Sequence, residues 1–136
     1  MRRLVLAAVL AVVATLVAAG PGVANDTYFR VPHVTVPGNP TCSSFGQFDG
    51  SVTFTAPTNG AFASGIGLFV EGDLLSWWTT YPQQIQVAIV KGGRNAEVYT
   101  YGWPYFADGW LHAPVNPKKG SFYTLGHATF CFDSEA

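Results

Sequence analysis

The sequence predicts an all-β fold, an antiparallel β-sandwich of immunoglobulin-like architecture. Three observations carry the expectation. No long helical period appears beyond residue 24. Short runs with a period of two recur instead, separated by Gly, Pro and Asn clusters. Such spacing belongs to sandwiches, where each strand turns back after a few residues. Finally, the two cysteines, Cys42 and Cys131, lie near the two ends of this stretch. If bridged, they require the opening and closing segments of the domain to be neighbours.

The chain opens with MRRLVLAAVLAVVATLVAAGPGVAND. Arg2 and Arg3 form a positive head, and an apolar run continues to Ala19. Gly20-Pro21-Gly22 then breaks any helix, and Gly22 and Ala24 are small enough for a cleavage site. Residues 1–24 therefore read as a secretory signal peptide. The run is shorter than the ~20 apolar residues a membrane-spanning helix needs. Residues 25–136 are expected to be a single secreted domain, free outside the cell or held at its envelope, with no membrane insertion after cleavage. Export takes Cys42 and Cys131 to an oxidising compartment, where a pair most simply forms a disulfide. Closing a loop of about 90 residues stabilises by roughly 4.5 kcal/mol in the chain-entropy account.

Each expected strand has its own justification. Residues 25–40 contain Val-x-Val alternation beside three prolines, which fits an edge strand with irregular flanks. Residues 51–56 alternate, with Val52, Phe54 and Ala56 on one side. Residues 66–70 and 73–80 flank Glu71-Gly72, a hairpin turn. Residues 84–90 alternate and then become apolar on both faces, as in a covered strand. Lys91-Gly92-Gly93-Arg94-Asn95 turns the chain into a strand at 96–101. Residues 123–132 form the last strand, apolar on both faces and hence central. It carries Leu125, His127, Thr129 and Cys131 on one face, with His127 expected to be a buried, hydrogen-bonded imidazole.

Trp77 and Trp78 are adjacent, so in a strand they point to opposite faces. Trp77 shares a face with Leu75 and is expected in the core, which leaves Trp78 partly exposed. The stretch YTYGWPYFADGWLH (99–112) has six aromatic residues in its first twelve positions. Extended chain would send Tyr99, Tyr101, Trp103 and Tyr105 to one side. Pro104 lacks an amide donor and rules out a central strand there, so residues 102–109 are expected to be a loop or an edge. Rings on such a segment suit stacking on sugar faces or filling a partner's groove. Trp103, Tyr105, Trp110 and Trp78 are the candidate ligand-binding residues.

Other chemistry finds little support. Seven basic and eight acidic residues nearly balance, and loss of Arg2 and Arg3 with the leader tips the mature chain toward the acidic side. With no basic patch, nucleic acid is not an expected partner. The sequence holds no GxSxG, HExxH, CxxC or phosphate-loop motif. His33, His112 and His127 have no metal-ligand spacing, Glu71-Gly72-Asp73 is too sparse for calcium, and Ser43-Ser44 reads as loop. No metal and no cofactor are expected. Asn25-Asp26-Thr27 fits a glycosylation sequon, of consequence only in a eukaryotic host. A small secreted hydrolase is a further, less favoured reading, with a non-standard site around Asp108 and His112, the one close His–carboxylate pair in the aromatic stretch.

Three longer stretches add a resemblance. IVKGGRNAEVYTY (89–101), LHAPVNPKKGSFYTLGHATFC (111–131) and CSSFGQFDGSVTFTAPTNGAF (42–62) together resemble a β-rich module of bacterial secreted and cell-surface proteins. The likeness covers roughly residues 42–132. It implies a structural or binding role without enzymatic activity. The chain departs from the pattern at GWPYFADGW (102–110), where a short polar, acidic link is usual, and at LLSWW (74–78). The expected function is thus a secreted, non-enzymatic module that binds an extracellular glycan or surface ligand through its aromatic segment. An interaction or inhibitor-like role toward a protein surface is the alternative.

Overall fold

The structure is a computed structural model; it describes residues 31–80 and 82–134, with Trp103 and Pro104 as backbone only. The expected signal peptide and the sequon at Asn25 lie outside the described residues. From Pro32 onward the chain forms one compact unit. Its strands, in order, are β1 (His33–Pro37), β2 (Gly50–Thr55), β3 (Phe62–Ala63), β4 (Ile66–Glu71), β5 (Leu74–Thr79), β6 (Gln83–Gly92), β7 (Asn95–Tyr105), β8 (Ala107–Leu111), β9 (Val115–Asn116), β10 (Ser121–Phe122) and β11 (His127–Ser134). The helical content among the described residues is one 3-10 turn at Cys42–Ser44.

Two sheets make an antiparallel β-sandwich. The first has the order β1-β7-β6-β11-β2 and the second β3-β4-β5-β8; β9 and β10 form a separate ribbon. Trp77 of β5 joins the layers. Its ring meets Tyr101 of β7 and Phe130 of β11 edge-on, at centroid distances of 5.6 and 5.7 Å. Phe130 in turn meets Phe54 of β2. Alternation explains why these residues converge, since Leu75 and Trp77 of β5 and Ala128 and Phe130 of β11 are all buried. Removing a ring as large as that of Trp77 from such a site would cost about 3–5 kcal/mol.

The five-stranded sheet is covered on its other face as well. Val87, Ile89, Ala96, Val98 and Cys131 form a smaller cluster there, capped by Val36, Cys42 and Phe48. The Cys42–Cys131 disulfide, with Cα atoms 5.6 Å apart, pins this cover to the middle of β11. Two backbone hydrogen bonds to carboxylates close its far end, Asp49 N–H to Asp133 and Ser134 N–H to Asp49. This double covering is why β6 is apolar on both faces.

β11 is central, lying between β6 and β2. It starts later than the alternation suggests, at His127 rather than Tyr123. Residues 123–126 instead cross the β6–β7 turn. A methyl group at Gly92 would lie 2.4 Å from the Ala113 Cβ and 2.9 Å from the Thr124 carbonyl oxygen. Gly93 (φ 65°) sits under the Tyr123 ring. The two glycines therefore make the turn and also let a second segment pass over it. His127 is consequently exposed at the strand's first position, which corrects the expectation of a buried imidazole.

The aromatic segment is not a loop. β7 runs through Tyr105, Phe106 alone intervenes, and β8 begins at Ala107. The chain thus passes from one sheet to the other with a single residue between strands. The edge reading holds, because β1 pairs with β7 only from Asn95 to Tyr99 and Pro104 lies beyond that stretch. Opposite it the register jumps: Ile85 pairs with Tyr105 and Val87 with Thr100, so Gln86 alone faces residues 101–104.

Candidate functional site

The tyrosines of the aromatic segment are interior struts. Tyr99 and Tyr101 are both buried between the layers. Their hydroxyls satisfy themselves on β8 and just beyond it. Tyr99 Oη accepts the His112 N–H at 3.0 Å and lies 3.3 Å from the His112 carbonyl oxygen. Tyr101 Oη donates to Asp108 at 2.8 Å and accepts the Trp77 indole N–H at 3.2 Å. Burial, with the Asp108 charge beside it, drives the Tyr101 phenol far above its ordinary range. Burial also raises the Asp108 carboxyl, against the lowering effect of the bonds from Tyr101 and the Gly109 N–H. Tyr105 is half-buried, with its ring 4.7 Å from that of Tyr101. The Trp103 side chain is outside the described residues.

Trp78 lies elsewhere, on the outer face of the four-stranded sheet, and Trp110 stands at the bulge in its end strand β8. The register sets them in two rows. Phe62 pairs with Gly67, Gly67 with Trp78, and Trp78 with Ala107. Two residues further along, Phe69 pairs with Ser76, and opposite Ser76 the partner strand bulges at Gly109 and Trp110. A Cβ on Gly67 would lie 2.3–2.5 Å from three atoms of the Trp78 indole. The indole therefore lies across the sheet, over the space the glycine leaves. Phe62 packs beside it, centroids 5.5 Å apart and planes tilted by 36°.

These rings remain open to solvent. Phe62 is 57% exposed, Phe69 58%, Trp78 37% and Trp110 73%. Trp110 also has a φ of 65°, a left-handed conformation that bulky residues rarely adopt. Ser76 supports the bulge, its Oγ accepting the Trp110 N–H at 3.4 Å. Of the four candidate residues, the structure thus sets Trp78 and Trp110 in neighbouring rows of one sheet and Tyr105 apart from them. Phe62 and Phe69 are additions that sequence reading missed. β3 is too short for alternation to show, and Phe69 sits between Leu68 and Val70 in a run that reads as wholly buried.

A second cluster forms where β1 meets β7. Glu97 is buried, and both of its carboxylate oxygens are engaged, one by His33 Nδ1 at 2.5 Å and one by the Thr35 hydroxyl at 2.7 Å. His33 stacks on Tyr99 and meets His112 edge-on. His112 lies flat on Phe122 at 3.8 Å, with its Nδ1 on the Ala113 carbonyl at 2.8 Å. Asp108 and His112 thus have different partners, Tyr101 for one and Ala113 for the other. No group of three or more His, Cys, Asp or Glu side chains able to hold a metal occurs among the described residues. None of the helices among those residues is long and apolar enough to cross a membrane.

No known protein family, curated protein or solved structure matches this chain.

Proposed function

We propose that this is an exported, non-enzymatic β-sandwich module that binds an extracellular glycan through the outer face of its four-stranded sheet. One observation carries the reading: an indole laid over Gly67 with Phe62 beside it, and two further exposed rings close by, Phe69 on the same face and Trp110 at the bulge of its end strand. Flat rings with an open face stack on the apolar faces of sugars, and several on one layer outlast a single contact. The leader at residues 1–24, the disulfide and the resemblance to bacterial surface modules all favour a role outside the cell. Binding without reaction asks for no nucleophile and no acid–base pair.

The test is retention of the mature protein on insoluble polysaccharides, alone and as Trp78→Ala and Trp110→Ala. Retention lost in both variants, with folded protein by circular dichroism, supports the reading; a folded protein retained on none removes it. A protein partner is the second reading. β8 favours it: as the end strand of its sheet it has no strand on its outer side among the described residues, and a partner's strand could extend it.

A further inference from the structure

We infer that the ligand is an uncharged, linear glycan held at two contact points about two residues apart on the sheet, one at Trp78 and one at Trp110. The inference rests on the binding reading above and specifies its ligand. It starts from spacing. The row through Phe62 and Trp78 and the row through Phe69, Ser76 and Trp110 are separated by two residues, about 7 Å along a strand. One sugar unit fits against one row, and a chain of several units engages both.

Charge narrows the class. Between the rings the sheet offers Gly67, Ser76, Ala107 and Gly109, which are small and uncharged. Asp108 lies between the two rows in the register but turns inward to Tyr101, so the nearest ionisable residue on the outer face of this register is Glu71, one row beyond Phe69 and opposite Leu74. An acidic polysaccharide or an anionic lipid headgroup would meet no cation here and an acid at the margin. A neutral chain meets stacking surfaces with a serine hydroxyl between Phe69 and Trp110.

Trp110 supplies an independent observation. A side chain in the left-handed region costs on the order of 1–3 kcal/mol unless its surroundings compensate. Trp110 is 73% exposed, so little burial within the molecule compensates it. Gly109 precedes it over Ser76, where a Cβ would lie 3.1 Å from the hydroxyl oxygen. Bulges re-aim the side chains they carry. This one carries a large, open ring in the row next to that of the Trp78 indole, where the fold itself makes little use of it.

The experiment is calorimetric titration of the mature protein with neutral gluco-, xylo-, manno- and N-acetylglucosamine oligosaccharides of two to six units. At least one series should bind more tightly with each added unit up to about four, and monosaccharides should not bind. Trp110→Ala, a change at an exposed site, should weaken the longest ligand about tenfold or more, the loss of one stacking contact. Gly67→Ala keeps every ring but displaces the indole, and should weaken it similarly. Affinity should be unchanged between about 50 and 500 mM NaCl, as expected without ion pairs. Binding that falls with salt, or only of acidic glycans, overturns the neutral class while leaving a binding module. Neutral-glycan binding untouched by Trp110→Ala and Gly67→Ala overturns the face and spares the reading. Absence of any glycan binding by folded protein sinks both, and self-association abolished by Trp110→Ala assigns the face to a second copy.

Discussion

At Trp110 stability and exposure are in conflict. Its left-handed backbone suits glycine, so Trp110→Gly should raise the unfolding free energy by about 1 kcal/mol while removing a ring from the open face. Chemical denaturation of the two proteins measures the gain, and a loss of stability would show that the indole packs better than its exposure indicates. Asp108 makes a second prediction. Burial raises its carboxyl in the folded protein, so folding favours the protonated form. Its contribution is fully present below the unfolded value near pH 3.9 and is lost as pH rises through the higher folded value. Asp108→Asn removes that dependence. The stability of the native protein should therefore fall relative to the variant as pH rises from about 3.9 through the higher folded value, a slope that denaturation at several pH values reads directly. Some of this residue-level detail is visible in the sequence. The opposition of Trp77 and Trp78 follows from alternation alone. The contact of His33 with Glu97 does not, because 64 positions separate them and only the β1–β7 register brings them together.

Among the elements, β7 and β8 carry the most information. Tyr101 ties them through Asp108 and also holds the Trp77 indole N–H. Tyr101→Phe strips the partner from two groups at once, at least one of them buried, and should destabilise by about 1–3 kcal/mol; its thermal midpoint compared with that of Tyr105→Phe checks this. Strand existence was legible where apolar and polar residues alternate, as in β2, β6 and the second half of β11. It was not legible at residues 102–109. There aromatic residues, glycines and a proline fit a loop as well as an edge, and only a pairing partner decides. Tyr105 finds one in Ile85, and Ala107 in Trp78. The start of β11 was misplaced for a related reason. Tyr123 and Leu125 keep the same alternation as His127 and Thr129, yet their segment crosses a turn rather than pairing in the sheet, and this leaves His127 at the surface.

For the molecule as a whole, the sandwich and the joining of its first and last segments were both legible, because periodicity and two cysteines determine them. The outward aromatic face was not, since its four rings come from four strands in three separate stretches of sequence. Cys42→Ser with Cys131→Ser should cost about 2–5 kcal/mol in denaturant unfolding. The position of the bond has a further consequence. It does not cross the interior between the two layers; it clamps a thin cover over Val87, Ile89 and Val98 on the far side of the five-stranded sheet. A chain made in a thiol-rich cytosol would keep its layers but loosen that cover, and the bared strip would invite aggregation. Cytosolic product should accordingly bind a hydrophobic dye and sediment as aggregates, whereas oxidised product stays dispersed.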